Sequence, residues 1–218
     1  MKTAILSALE PMPYFTIEAV KQLMDDGSYS PGSIQTALYR WTKSGQVVQL
    51  KKGVYMTSRF HDLHHKEADF SAAVSAILLP QSYLSLEFVL QRHAILTDIT
   101  YPVTAVTFKN THSISNKLGD FVYRHIKTGL FTGFAIRDFH GIPFAIATPA
   151  KALFDLFYLR PALFPLGPNE NDLAEEMRLN LDEFTQGERD EFREYIRVSN
   201  SNKMQMILRN LEVNTWRP

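Results

Sequence analysis

Between Ser33 and Lys43 the chain places six polar side chains off the apolar stripe that a helix would bury. They are Ser33, Gln35, Thr36, Tyr39, Arg40 and Lys43, and the stripe is Ile34, Ala37, Leu38 and Trp41 at i, i+3, i+4 and i+7. The chemistry on offer is recognition. The major groove of DNA admits one α-helix, an amide such as that of Gln35 can pair with adenine, and a guanidinium such as that of Arg40 can pair with guanine. Further on, Lys51 and Lys52 put two adjacent ammonium groups where phosphates or a minor groove could receive them.

Two other groups of residues could do chemistry. His61, His64 and His65 lie with Asp62, Glu67 and Asp69, and imidazoles with carboxylates can bind zinc or iron. The spacing matches no strong metal motif, and neighbouring histidines do not easily share one ion, so the stretch reads as a solvated linker. Asp120, Arg124, His125, Lys127 and Asp138 fall on strand-like segments. A nuclease would want two or more carboxylates and a lysine around a divalent ion. The acids here are sparse, and no carboxylate-x-lysine motif is present. No serine elbow, phosphate loop or dinucleotide fingerprint occurs either. The expectation is a binding protein and not an enzyme, with no catalytic residue, metal or cofactor assigned. The aromatics Phe121, Tyr123, Phe131, Phe134, Phe139, Phe144, Phe154, Phe157 and Tyr158 read as core in preference to a stacking platform for single strands.

The elements needed to position the polar row are legible. A first helix is stopped by Pro11 and Pro13. A second follows Thr16 as N-cap, with Ile17, Val20, Leu23 and Met24 as its stripe, and Asp26-Gly27-Ser28 ends it. The third opens at Ser30-Pro31 and closes at Gly45. Val47–Leu50 and Val54–Thr57 flank Lys51-Lys52-Gly53 as a hairpin with a short basic turn. Three helices and a basic hairpin are the layout of a winged helix-turn-helix over residues 1–58. A scaffold for protein–protein contact is the alternative use of such a unit.

Beyond it, the fold class is α+β. The pattern predicts a mixed α/β domain with a mainly antiparallel sheet over 66–160 and a helical region over 169–218, with a single domain over both as the alternative. A helix is expected from Lys66 to Leu79 and another from Leu84 to His93. Strands are expected at Val103–Phe108, Phe121–Ile126, Phe131–Phe139 and Phe144–Ala147, and a helix over Ala150–Leu159 capped by Thr148-Pro149. The stretch Ser58–Lys66, with the polar run HDLHH inside it, is the expected linker.

Charge supports the division. The 218 residues carry no formal net charge, so overall attraction to nucleic acid is excluded and only a local patch can act. From Pro31 to Phe60 the charged residues are Arg40, Lys43, Lys51, Lys52 and Arg59, without one acid, whereas eleven acids face seven bases from Pro168 onward. The chain has no cysteine, which rules out disulfides and thiolate metal sites and fits a cytoplasmic location. No apolar run reaches the ~20 residues of a membrane helix. The opening run is broken by Ser7, Glu10 and Pro11, which argues against a signal peptide.

Three stretches carry a resemblance. SGQVVQLKKGVYMT (44–57), PQSYLSLEFVLQRHAIL (80–96) and IATPAKALFDLFYL (146–159) are similar, in that order, to the wing, the "tyrosine-x-serine, then helix" segment and the proline-started helix of AbiEi. AbiEi proteins are the antitoxins and transcriptional regulators of AbiE-type (type IV) bacterial abortive-infection systems. The resemblance implies an autorepressor that binds its own promoter and opposes a nucleotidyltransferase-like toxin encoded beside it. It implies DNA contacts from the third-helix row together with Lys51, Lys52 and Tyr55. The wing carries lysines where the family commonly has arginine, which removes the fork geometry of a guanidinium. A monomer binding cooperatively and a dimer are both compatible with the sequence, as is a stand-alone regulator without a toxin.

Overall fold

Two sheets organise the chain, and a helix joins them without an open linker. The structure is a computed structural model that describes residues 2–23, 31–97, 102–161 and 172–216. The N-terminal unit runs α1 (Lys2–Leu9), β1 (Phe15–Thr16), α2 (Ile17–Leu23), α3 (Pro31–Lys43), β2 (Val47–Lys51) and β3 (Val54–Thr57). Its sheet has the order β1-β3-β2, antiparallel throughout, so the short strand between the first two helices closes on the hairpin.

Local chemistry accounts for these boundaries. The Thr16 hydroxyl accepts the Ala19 N–H at 3.2 Å and starts α2. Gly45, at φ +74°, turns the chain out of α3 into β2 at low steric cost. Ile34, Ala37, Leu38 and Trp41 are all buried, in a small core with Leu6, Leu9, Phe15, Val20, Val47 and Tyr55. The expected end of α2 at Asp26-Gly27-Ser28 and the Ser30 start of α3 lie outside the described residues.

The stretch read as a solvated linker is a helix, α4 (Ser58–His64). Thr57 is its N-cap, its side chain accepting from the Phe60 N–H, and Phe60 is buried. One capping threonine and one core phenylalanine outweigh the polar character of the histidines around them. Leu50, Met56 and Phe60 therefore belong to the large core and not to the small one.

The larger sheet has the order β6-β7-β5-β4-β9-β8. Its strands are β4 (Ser82–Leu84), β5 (Val103–Thr107), β6 (His112–Asn116), β7 (Gly119–His125), β8 (Phe134–Phe139) and β9 (Ile142–Ala147). Neighbours pair antiparallel at β6/β7, β4/β5 and β8/β9, and parallel at β5/β7 and β4/β9. The sheet is thus mixed, with antiparallel pairs in the majority. Around it lie α5 (Phe70–Leu78), α6 (Glu87–Arg92) and α7 (Pro149–Leu159), followed by α8 (Leu173–Glu176), α9 (Gln186–Ser199) and α10 (Asn202–Asn214).

Two expectations shift. α5 begins at Phe70 instead of Lys66, because the residues before Phe70 carry no buried side chain after Phe60. The expected helix from Leu84 gives way to strand β4 followed by α6. All three β4 residues are buried between β5 and β9, so no alternation marks them as strand. The C-terminal helices share the main core through Phe192, Ile196, Met204, Ile207, Leu211 and Trp216. No helix among the described residues is long and apolar enough to cross a membrane.

Candidate nucleic-acid interface

The outward side of α3 presents two rows. Thr36, Arg40 and Lys43 follow one another at i, i+4 and i+7, and all three are exposed. Gln35, Tyr39 and Thr42 form the second row. They line a cleft of about 190 Å³ together with Ile17, Leu38, Gln49 and Tyr55. Tyr39 stands 65% exposed, a large amphipathic ring held out from the helix over this cleft. The Thr36 hydroxyl donates to the Gly32 carbonyl at 2.8 Å, so it has a methyl group and an acceptor oxygen, but no donor, left to meet a partner. Ser33 is half-buried at the start of the row. The helix thus offers one guanidinium, one ammonium, one amide and one phenol on a rigid face.

The hairpin tip separates the two lysines. Lys51 and Val54 pair across a two-residue turn made by Lys52 and Gly53, with Gly53 at φ +78°. The Gly53 carbonyl accepts the Ile17 N–H at 2.9 Å, which ties the tip to the start of α2. Lys52 is exposed. Lys51 points the other way: its ammonium donates to the Ile77 carbonyl at 3.0 Å and the Leu78 carbonyl at 2.7 Å. Those are the last carbonyls of α5, where helix geometry leaves acceptors unsatisfied and a cation is favoured. Burial also pushes the Lys51 ammonium below its ordinary value. Its side chain joins the N-terminal unit to α5, leaving Lys52 as the lysine of the tip.

Tyr55 is only 8% exposed. Its ring stacks on Phe15 at 5.8 Å between centroids, and burial raises its hydroxyl above the ordinary phenol range. It forms the floor of the cleft beside α3 and shapes that cleft from below. Arg59, the remaining base of the acid-free stretch, donates to Glu10 at 3.1 Å on the surface. Sequence reasoning thus grouped Lys51, Lys52 and Tyr55 as one contact set, and the fold gives the three residues different surroundings.

The residues weighed for a nuclease do not converge. Asp120 is on β7 and Asp138 on β8, with β5, β4 and β9 lying between those strands. Asp138 instead accepts the Gly141 N–H at 2.9 Å and shapes the β8–β9 turn. Of the histidines, His61 stacks on His65 at 4.9 Å, while His64 turns toward Glu67. Hydrogen bonds from His64 and then from His140 hold the Glu67 carboxyl below the usual range. His140 was not among the candidate residues; its only sequence signal is a histidine before glycine between two strand-like runs.

A further polar cluster escaped sequence reasoning altogether. Lys151 and Asp155, one helical turn apart on α7, are both fully buried and 2.6 Å from each other. Asp155 also accepts from the Tyr83 hydroxyl at 2.9 Å and the Ser85 hydroxyl at 2.8 Å. The Lys151 ammonium lies over the rings of Phe154, Tyr195 and Tyr83. Burial pushes the lysine down and the carboxyl up, and each charge opposes the other's shift. Every polar atom of this pair has a partner inside the chain, so it serves as an internal brace. Compared with known protein families and with curated proteins, the chain matches none.

Proposed function

We propose that the N-terminal unit is a winged helix-turn-helix that binds double-stranded DNA, with α3 as the recognition helix. The observation that carries this reading is the outer face of α3. Arg40, Lys43, Gln35 and Tyr39 stand exposed on it, opposite a fully buried apolar stripe, with the Lys52 tip as the second basic point. The closure of β1 on the hairpin gives the unit the element order that such domains use. Arg40 and Gln35 would read base edges, and Lys43 and Lys52 would contact phosphates.

The three stretches similar to AbiEi proteins support a wider reading: a transcriptional autorepressor and antitoxin of a type IV system. Two of them meet inside the molecule, since Tyr83 and Ser85 of the second donate to Asp155 of the third. The likeness therefore includes residues that brace the core as well as the hairpin. The partners on this reading are the protein's own promoter DNA and, functionally, a nucleotidyltransferase-like toxin.

The two phosphate-facing cations, Lys43 and Lys52, predict the electrostatics. At about 0.9 counterions released per phosphate contact, one bound copy gives a slope of log K against log salt of about −1.8. That corresponds to roughly 12-fold weaker binding on going from about 50 to about 200 mM salt. Fluorescence anisotropy with the DNA upstream of the gene, titrated at several salt concentrations, tests this. Unchanged anisotropy at low salt would sink the DNA-binding reading. Rescue of growth on co-expression with the adjacent toxin gene tests the antitoxin reading separately.

A further inference from the structure

The β8–β9 hairpin turns on two residues, His140 and Gly141, between the paired Phe139 and Ile142. Both have positive φ, +49° and +82°, the combination of a type I′ turn. Asparagine or glycine is the usual first residue there, and a histidine pays a steric cost for its Cβ. What the histidine provides is reach. Its Nε2 lies 3.1 Å from Glu67 Oε2, and His64 Nδ1 lies 2.5 Å from Glu67 Oε1. The three ligand atoms all lie within 4.8 Å of one another.

The imidazoles are held by apolar walls. His64 packs on Phe60 at 4.5 Å and on Phe139 at 6.1 Å. His140 meets the Phe139 ring at 4.7 Å, nearly edge-on, and Phe60 at 6.2 Å. The two imidazole rings are 4.0 Å apart. Glu67 is fixed from behind by its own N–H, which donates to the His64 carbonyl at 2.9 Å. Residues from two distant parts of the chain are thus aimed at one point by backbone turns and aromatic packing.

We propose that His64, Glu67 and His140 form a binding site for a divalent transition-metal ion of the zinc class, clamping α4 to the β8–β9 turn. Two imidazoles and one carboxylate suit zinc, cobalt or nickel better than calcium or magnesium, which prefer all-oxygen shells. Tetrahedral bonds of about 2.0–2.1 Å separate neighbouring ligand atoms by roughly 3.4 Å, a spacing that small side-chain movements supply here. Glu67 and His140 are exposed, so the fourth position faces water. Because α4 continues directly from β3, the ion ties the base of the hairpin to the rim of the large sheet.

The experiment uses the full, tag-free chain, stripped with chelator and titrated with zinc chloride by calorimetry, and with cobalt by visible absorption. The informative variant is His140→Asn, which removes a ligand while suiting the φ of the turn, so the metal-free protein should melt no lower than wild type. Wild type should bind one ion per chain and melt higher with zinc. His140→Asn should bind at least about tenfold more weakly and lose that shift, since even losing a supporting group around a metal costs this much. Glu67→Gln should weaken binding in the same direction, and His112→Asn, on β6, should leave it unchanged. Absence of binding by wild type at micromolar zinc overturns the proposal. Equal affinity of wild type and His140→Asn overturns it too, by placing the ion elsewhere.

Discussion

The α3 face and the α7 centre use the same kinds of side chain for opposite ends. On α7, Lys151 and Asp155 are sealed from water, and their charges are answered by each other, by two hydroxyls and by aromatic rings. On α3, Arg40 and Lys43 stand in solvent on a helix whose other side is fully apolar. A buried charge left unpaired is costly, so the interior pair must be complete within the chain. An exposed charge has no such obligation and can meet a partner from outside. Lys51 and Lys52 repeat the contrast between adjacent residues: one caps α5 and the other faces water.

The largest effect should come from breaking the interior pair. Asp155→Leu leaves the Lys151 ammonium buried and removes the acceptor of Tyr83 and Ser85, so urea unfolding should show a loss of about 3–5 kcal/mol. Lys151→Met should cost less, because Asp155 keeps two hydroxyl donors and can take up a proton; equal losses would mean that the hydroxyls contribute little. Gly133→Ala probes the packing of the same centre. Gly133 has φ +78°, and an added Cβ would lie 2.2 Å from the Tyr195 hydroxyl and 2.9 Å from Lys151 Cγ. Roughly 2–3 kcal/mol of stability should be lost in the same assay.

The outer face should respond in binding and hardly in stability. Arg40→Ala should weaken specific DNA binding by about 1–3 kcal/mol and relax base preference at one position, with the melting temperature nearly unchanged. A large fall in melting temperature instead would make Arg40 a structural residue. Within the hairpin, Lys51→Ala should lower stability by about 1–2 kcal/mol, through loss of a charged cap on α5. Lys52→Ala should leave unfolding alone and make the salt slope shallower by about 1. Identical behaviour of the two lysine variants would remove the distinction between them.

Much of the N-terminal unit is legible because its signals are local. The stripe Ile34, Ala37, Leu38 and Trp41, the Thr16 cap and the Gly45 exit each act within a turn or two of chain. So does Thr148, whose hydroxyl accepts the Lys151 N–H at 3.1 Å and starts α7 where Thr148-Pro149 predicts it. Strand β4 is illegible for the converse reason: its three residues are buried by partners more than twenty residues away along the chain, β5 on one side and β9 on the other. The helix at Ser58–His64 hides among histidines because Phe60, its one buried anchor, finds its pocket only when the two sheets come together.

The sequence alone thus determined which residues of α3 face outward, where the hairpin turns, and that the basic stretch lies near the N-terminus. Tertiary structure decided that Lys51 caps another helix, that Tyr55 lies beneath the cleft, and that His140 arrives beside His64 and Glu67. The division follows from range. Helical periodicity and turn preference are fixed by neighbours in the chain, whereas the environment of a lysine or histidine is fixed by whatever distant segment the core brings against it.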